Sequence, residues 1–125
     1  MKFNPTIATD AYKITHWLQR PKGMTRFYNY GEPRFGGQHD AIIFAELQYI
    51  IKEYFMRKVT QEDIEEGAAH SLSCFGFDHY FPRKIWEKVK DLGYFPLRIK
   101  AVKEGTLVPT SNVCFTMEST EDWFA

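Results

Sequence analysis

Cysteine is scarce in this chain. Cys74 and Cys114 are the only two in 125 residues. They form no Cys-x-x-Cys pair and are too few for a disulfide framework. Reduced thiols are then the default, which fits a cytoplasmic setting. Long apolar runs are missing as well. Nothing approaches the roughly 18 consecutive apolar residues of a membrane-spanning helix, so no membrane partner is expected. Met1-Lys2-Phe3-Asn4-Pro5 carries no apolar core of the kind a secretory leader has. Net charge is absent too, at +0 with a pI near 6.9, which argues against a dedicated nucleic-acid binder. No internal repeat or low-complexity segment interrupts the chain.

What remains is ample for a core. Hydrophobic residues make up 44% and aromatics 17%, which excludes a disordered composition. The length suits one domain spanning residues 1–125. Charge is unevenly spread. Residues 1–34 hold six Lys/Arg against two acids, a net +4, and the remainder is therefore −4. A basic first third suits an anionic, phosphate-bearing ligand, although solvated surface charge accounts for it equally well.

Periodicity predicts an α+β fold, a mixed or antiparallel sheet packed against about four helices. The first helix runs from about Ala11 to Gln19, with Thr9 or Asp10 as N-cap and Pro21 and Gly23 as the stop. Met24–Tyr30 reads as a strand with Arg26, Tyr28 and Tyr30 on one face. Gly36-Gly37 marks a flexible loop. Residues 41–56 read as the strongest helix, capped by Asp40, with Ile43, Leu47, Ile50, Ile51 and Tyr54 forming a core stripe. Thr60 caps the next helix, with acids in a solvated first turn and Ile64, Ala68 and Leu72 on its buried side. Pro82 opens a third helix that ends at Gly93. Leu97–Val102, Thr106–Val108 and Val113–Glu118 read as strands, the last with Val113, Phe115 and Met117 inward. His70, Cys74 and His79 match no zinc spacing and lack a fourth ligand, so no metal site is expected. Trp123 and Phe124 suggest an exposed apolar surface, the start of another packed element.

The stretch from Thr6 to Trp17 is the most informative. A helix start offers unpaired N–H groups and a partial positive charge. Here it also carries a carboxylate, a phenol and an ammonium in one turn, Asp10, Tyr12 and Lys13. Such a turn can hold a flat polar ligand. The plainer alternative is that Tyr12 and Trp17 are core aromatics and that Asp10 only caps the helix.

Ala8-Thr9-Asp10-Ala11-Tyr12-Lys13-Ile14-Thr15-His16 resembles the N-terminal motif of nicotinamide phosphoribosyltransferases. The similarity continues through Phe27–Arg34, Phe44–Ile50, Ile99–Gly105 and Val108–Thr116, in the family's order and over nearly the whole chain. Ala11 stands where serine is common, Gly31 where an aromatic is common, and the loop after Arg34 is short.

The resemblance implies an N-terminal domain or fragment of an enzyme of nicotinamide salvage. That enzyme joins nicotinamide to phosphoribosyl diphosphate, giving nicotinamide mononucleotide. The expected substrate-binding residues are Asp10 beside the nicotinamide, Tyr12 stacked on its ring across a head-to-tail homodimer, and Arg34 on phosphate. The family's second stacking aromatic, its phosphorylatable histidine and its diphosphate loop lie beyond this chain. No catalytic residue and no bound cofactor is therefore expected here, with Mg²⁺ entering alongside phosphoribosyl diphosphate in the full enzyme. The partners implied are a catalytic domain or second subunit. The competing reading is a non-catalytic module that pairs with a full-length homologue. A third, single-stranded nucleic-acid binding through Arg20, Lys22, Arg26, Phe27, Tyr28, Tyr30 and Arg34, has the right basic–aromatic chemistry but not the net charge.

Overall fold

The computed structural model describes residues 3–125. They form two compact units. The first comprises the residues up to Met24 together with Lys52–Phe95, and the second Thr25–Ile51 with Pro96–Ala125. Helices dominate the first and short antiparallel sheets the second, so the α+β expectation holds. There are two small sheets instead of one.

Leu47–Ile50 is α1, Gln61–Phe75 is α2 and Arg83–Leu92 is α3; Tyr28–Gly31, Ala41–Ile43, Leu97–Ala101, Leu107–Pro109 and Phe115–Ser119 are β1 to β5. The helical unit is arranged around α2. The 3-10 helix Ala11–Gln19, the turn Asp78–Tyr80 and α3 all contact it. Its start is well defined because Thr60 and Asp63 form a reciprocal capping box: the Thr60 hydroxyl accepts from the Asp63 N–H, and the Asp63 carboxylate accepts from the Thr60 N–H.

The buried side of α2 is not the expected one. Ile64 is fully buried, but Leu72 is half exposed, and Asp63, Gly67 and Ser71 take the inner positions. Gly67 is there because Thr6 and Phe81 come so close that a Cβ would overlap the Thr6 hydroxyl and the Phe81 ring. Thr6 is held in turn by Asn4 and by the Asp63 carbonyl, which accepts from both side chains. Asp63 is not part of a solvated first turn either. It is buried and paired with Arg57 at 2.6 Å. Burial by itself raises its pKa. The Thr60 hydrogen bonds and the Arg57 guanidinium outweigh that and hold the carboxyl below its ordinary value. On the exposed face, Arg83 holds Glu65 through two bonds of 2.7 and 2.9 Å, and with Gln61 lowers the Glu65 pKa to about 2. α3 follows expectation: Val89 is buried and Gly93 closes the helix in the left-handed conformation.

In the second unit β5 lies between β1 and β3, both antiparallel to it, and β2 pairs antiparallel with β4. Phe44, Val108 and Cys114 are its buried centre, with Leu47, Val102 and Phe115 against them. Here one expectation fails outright. Residues 41–56 are not one helix. Ala41–Ile43 is a strand in register with Leu107–Pro109, α1 has only four residues, and Ile51–Phe55 is a π-helical turn. The reason is visible at Glu46, whose φ of 71° is left-handed and ends any helix running through it. β-branched Ile42 and Ile43 favour an extended backbone. The expected core stripe is consequently broken: Ile43 is 68% exposed and Ile50 is exposed, while Leu47 still packs, partly buried, against the centre.

β5 begins at Phe115, two residues later than expected. Phe115 packs against the buried centre as expected, whereas Val113, ahead of the strand, is exposed and its neighbour Cys114 is buried. The C-terminal aromatics are not an exposed patch. Trp123 and Phe124 are half-buried in a 3-10 turn, with the Phe124 ring 6.3 Å from that of Phe27. No helix among the described residues is long and apolar enough to cross a membrane.

Candidate functional site

The segment that carries Asp10 and Tyr12 winds as a 3-10 helix over Ala11–Gln19, not as an α-helix. Two local causes are evident. The Thr15 hydroxyl donates to the Tyr12 carbonyl at 2.8 Å, giving that carbonyl a partner other than the helix ladder. Only Ile14 is buried, so little packing enforces the longer α repeat. Asp10 occupies the N-cap position with extended backbone, but its carboxylate caps no N–H. It lies 3.3 Å from the Lys13 ammonium instead. Its carbonyl accepts from the Lys13 N–H at 3.0 Å and so starts the helix. Side-chain capping by Asp10 is therefore overturned.

Tyr12 is not a core residue. It is 58% exposed. Its ring meets His16 edge-on at 5.4 Å, and the Lys13 ammonium lies 5.9 Å from its centroid. The remainder of the ring is accessible. The first turn thus displays a carboxylate, an ammonium, an aromatic face and an imidazole within one surface patch, on a helix anchored below by Ile14. Trp17, further along, is tied down differently: its indole N–H donates to the Tyr80 carbonyl at 2.7 Å.

Arg34 belongs to the other unit. It is exposed and follows β1 after Glu32 and Pro33. The backbone leading into it is anchored: the Gly31 carbonyl accepts from the Cys114 N–H and the Pro33 carbonyl from the Ser111 N–H, each at 2.8 Å. Gly31 is dictated by Phe115, whose ring lies where a Cβ would stand. Asp10 and Tyr12 come together in one turn. The third expected site residue is carried by a separate compact unit.

His70 and Cys74 lie one helical turn apart with Sγ 3.5 Å from Nε2. No group of three or more His, Cys, Asp or Glu that could hold a metal occurs among the described residues. One assembly escapes sequence reasoning. Trp17, His79, Phe81, Arg83, Lys84 and Ile85 line an open groove of about 560 Å³ in the helical unit. Trp17 is more than sixty positions from its nearest companion in that group, so no motif spans them; the only available hint is Pro82, which starts a helix immediately beside His79 and Phe81.

The fold is a small α+β arrangement with an exposed aromatic in the Asp10–Tyr12 turn. Residues 4–99 match the family described as nicotinamide phosphoribosyltransferase, N-terminal domain, and the chain belongs to that family. It is 42% identical over 120 residues to the nicotinamide phosphoribosyltransferase of Xanthomonas campestris pv. campestris (strain 8004), covering 94% of this chain and 25% of that protein. It is 29% identical over 142 residues to the nicotinamide phosphoribosyltransferase of Acinetobacter baylyi (strain ATCC 33305 / BD413 / ADP1), covering 98% of this chain and 27% of that protein. The chain thus spans about a quarter of the length of these relatives.

Proposed function

We propose that this chain supplies the N-terminal part of a nicotinamide phosphoribosyltransferase, which converts nicotinamide and phosphoribosyl diphosphate to nicotinamide mononucleotide in NAD salvage. Its role is to position substrate. Tyr12 provides a stacking face for the nicotinamide ring, in a site completed by a catalytic domain or by the second subunit of a homodimer. Asp10 lies beside the same ring, and Arg34 takes phosphate, for which a guanidinium fork is well shaped. The observation that carries this reading is Tyr12, an aromatic left 58% exposed on an anchored helix at the family's motif position. Ring stacking is worth about 0.5–1.5 kcal/mol beyond burial, enough to orient a small ring and too little to catalyse anything alone.

The full enzyme is expected to use Mg²⁺ with phosphoribosyl diphosphate. A cytoplasmic setting fits the two free cysteines, one exposed and one buried.

The test has two arms. The chain alone, with nicotinamide, phosphoribosyl diphosphate and Mg²⁺, is expected to form no nicotinamide mononucleotide above a no-protein control. A chimera in which this chain replaces the matching quarter of the Xanthomonas enzyme is expected to form it. An inactive but folded chimera contradicts the reading.

A further inference from the structure

The groove in the helical unit shares no residue with the Asp10–Tyr12 turn. Its volume, about 560 Å³, lies within the roughly 300–1,000 Å³ typical of small-molecule sites. Three features define what it suits. First, its walls are apolar and aromatic, formed by Trp17, Phe81 and Ile85. Phe81 is 5% exposed and Trp17 is 38% exposed, so one is fixed by burial and the other leaves a ring surface open. Second, the Trp17 ring is already oriented, because its N–H is committed to the Tyr80 carbonyl at 2.7 Å. A flat ligand can stack on it without paying to order it. Third, the rim is cationic. His79, Arg83 and Lys84 line it, and none of the described lining residues is acidic. Arg83 commits both terminal nitrogens to Glu65, so Lys84, exposed at the rim, is the side chain placed to meet an anion.

We propose that this groove is a binding site for a planar aromatic ring bearing one anionic group, the ring on Trp17 and the anion at Lys84. A neutral aromatic lacks the rim contact, and a bare anion lacks the stacking wall. The proposal is independent of the phosphoribosyltransferase reading.

The test uses the 125-residue chain and three probes: 1-naphthyl phosphate, 1-naphthol and inorganic phosphate. Binding is followed by calorimetry and by the indole N–H resonances in a nitrogen–proton spectrum, which resolves three tryptophans. The expected result is a saturable shift of the Trp17 resonance with 1-naphthyl phosphate, at least about tenfold tighter than with either other probe, as one charge-assisted contact supplies. Lys84→Gln is expected to remove that advantage while leaving 1-naphthol binding unchanged. Lys22→Gln, an exposed lysine that does not line the groove, is expected to change nothing. Equal affinity for 1-naphthyl phosphate and 1-naphthol, an unmoved Trp17 resonance, or equal effects of the two lysine substitutions overturns the proposal.

Discussion

Single residues in this protein are understood by asking what each would lose if changed. Asp63 is the clearest case. It caps α2, receives Arg57 and is buried, and its pKa is held below the ordinary carboxyl value by the Thr60 hydrogen bonds and the Arg57 guanidinium. A carboxyl with a lowered folded-state pKa stabilises the fold above its unfolded pKa and loses that contribution as pH falls through the folded value. Glu65 behaves alike, between 4.5 and about 2. Urea unfolding across the acid range is therefore expected to show stability falling from about pH 4.5 downward, and Asp63→Asn is expected to flatten part of that slope. An unchanged slope in Asp63→Asn contradicts the assignment. Gly67 makes the opposite kind of test. Alanine ordinarily strengthens a helix by up to about 1 kcal/mol over glycine. Here its methyl meets Thr6 and Phe81, and overpacking costs about 1–3 kcal/mol. Gly67→Ala is expected to lower the melting temperature, and a rise refutes the close approach.

At the scale of elements, legibility follows locality. α2 and α3 were readable because their caps are local: Thr60 with Asp63 at one start, Pro82 and Gly93 bracketing the other. Thr60→Ala is expected to cost about 0.5–2 kcal/mol, measured by chemical denaturation; no loss at all contradicts the capping box. Residues 41–56 were misread because their apolar spacing fits a helix while the partner that makes Ala41–Ile43 a strand, Leu107–Pro109, is over sixty residues away. Helical periodicity cannot register a non-local pairing. The left-handed Glu46 had no signal either, since glycine or asparagine is the usual residue at that conformation. Glu46→Gly is accordingly expected to leave stability unchanged or raise it, because it relieves a strained backbone. A clear loss, read as an earlier thermal midpoint, means the side chain is needed where it stands. The miss at Val113 has a simpler cause: Val113 and Cys114 precede β5, so strand alternation does not govern them, while Phe115 inside the strand packs against the centre as its alternation implies.

For the whole molecule, the family was legible from collinear motifs, whereas the exposure of Tyr12 was not. Composition favours burying an aromatic, and only the structure separates an exposed ring beside His16 from a core one. The groove around Trp17 was invisible for the same reason that β2 was: its residues meet only in the folded chain. On the proposed reading Tyr12 serves a bound ring and not the core. The nicotinamide KM of the Xanthomonas chimera carrying Tyr12→Ala or Tyr12→Phe, with the melting temperature of each, tests this. Tyr12→Phe is expected to be nearly silent and Tyr12→Ala to raise KM by about two- to tenfold, the equivalent of the roughly 0.5–1.5 kcal/mol of a stacked ring, at an almost unchanged melting temperature. A Tyr12→Ala enzyme that melts far earlier yet keeps its KM would contradict it.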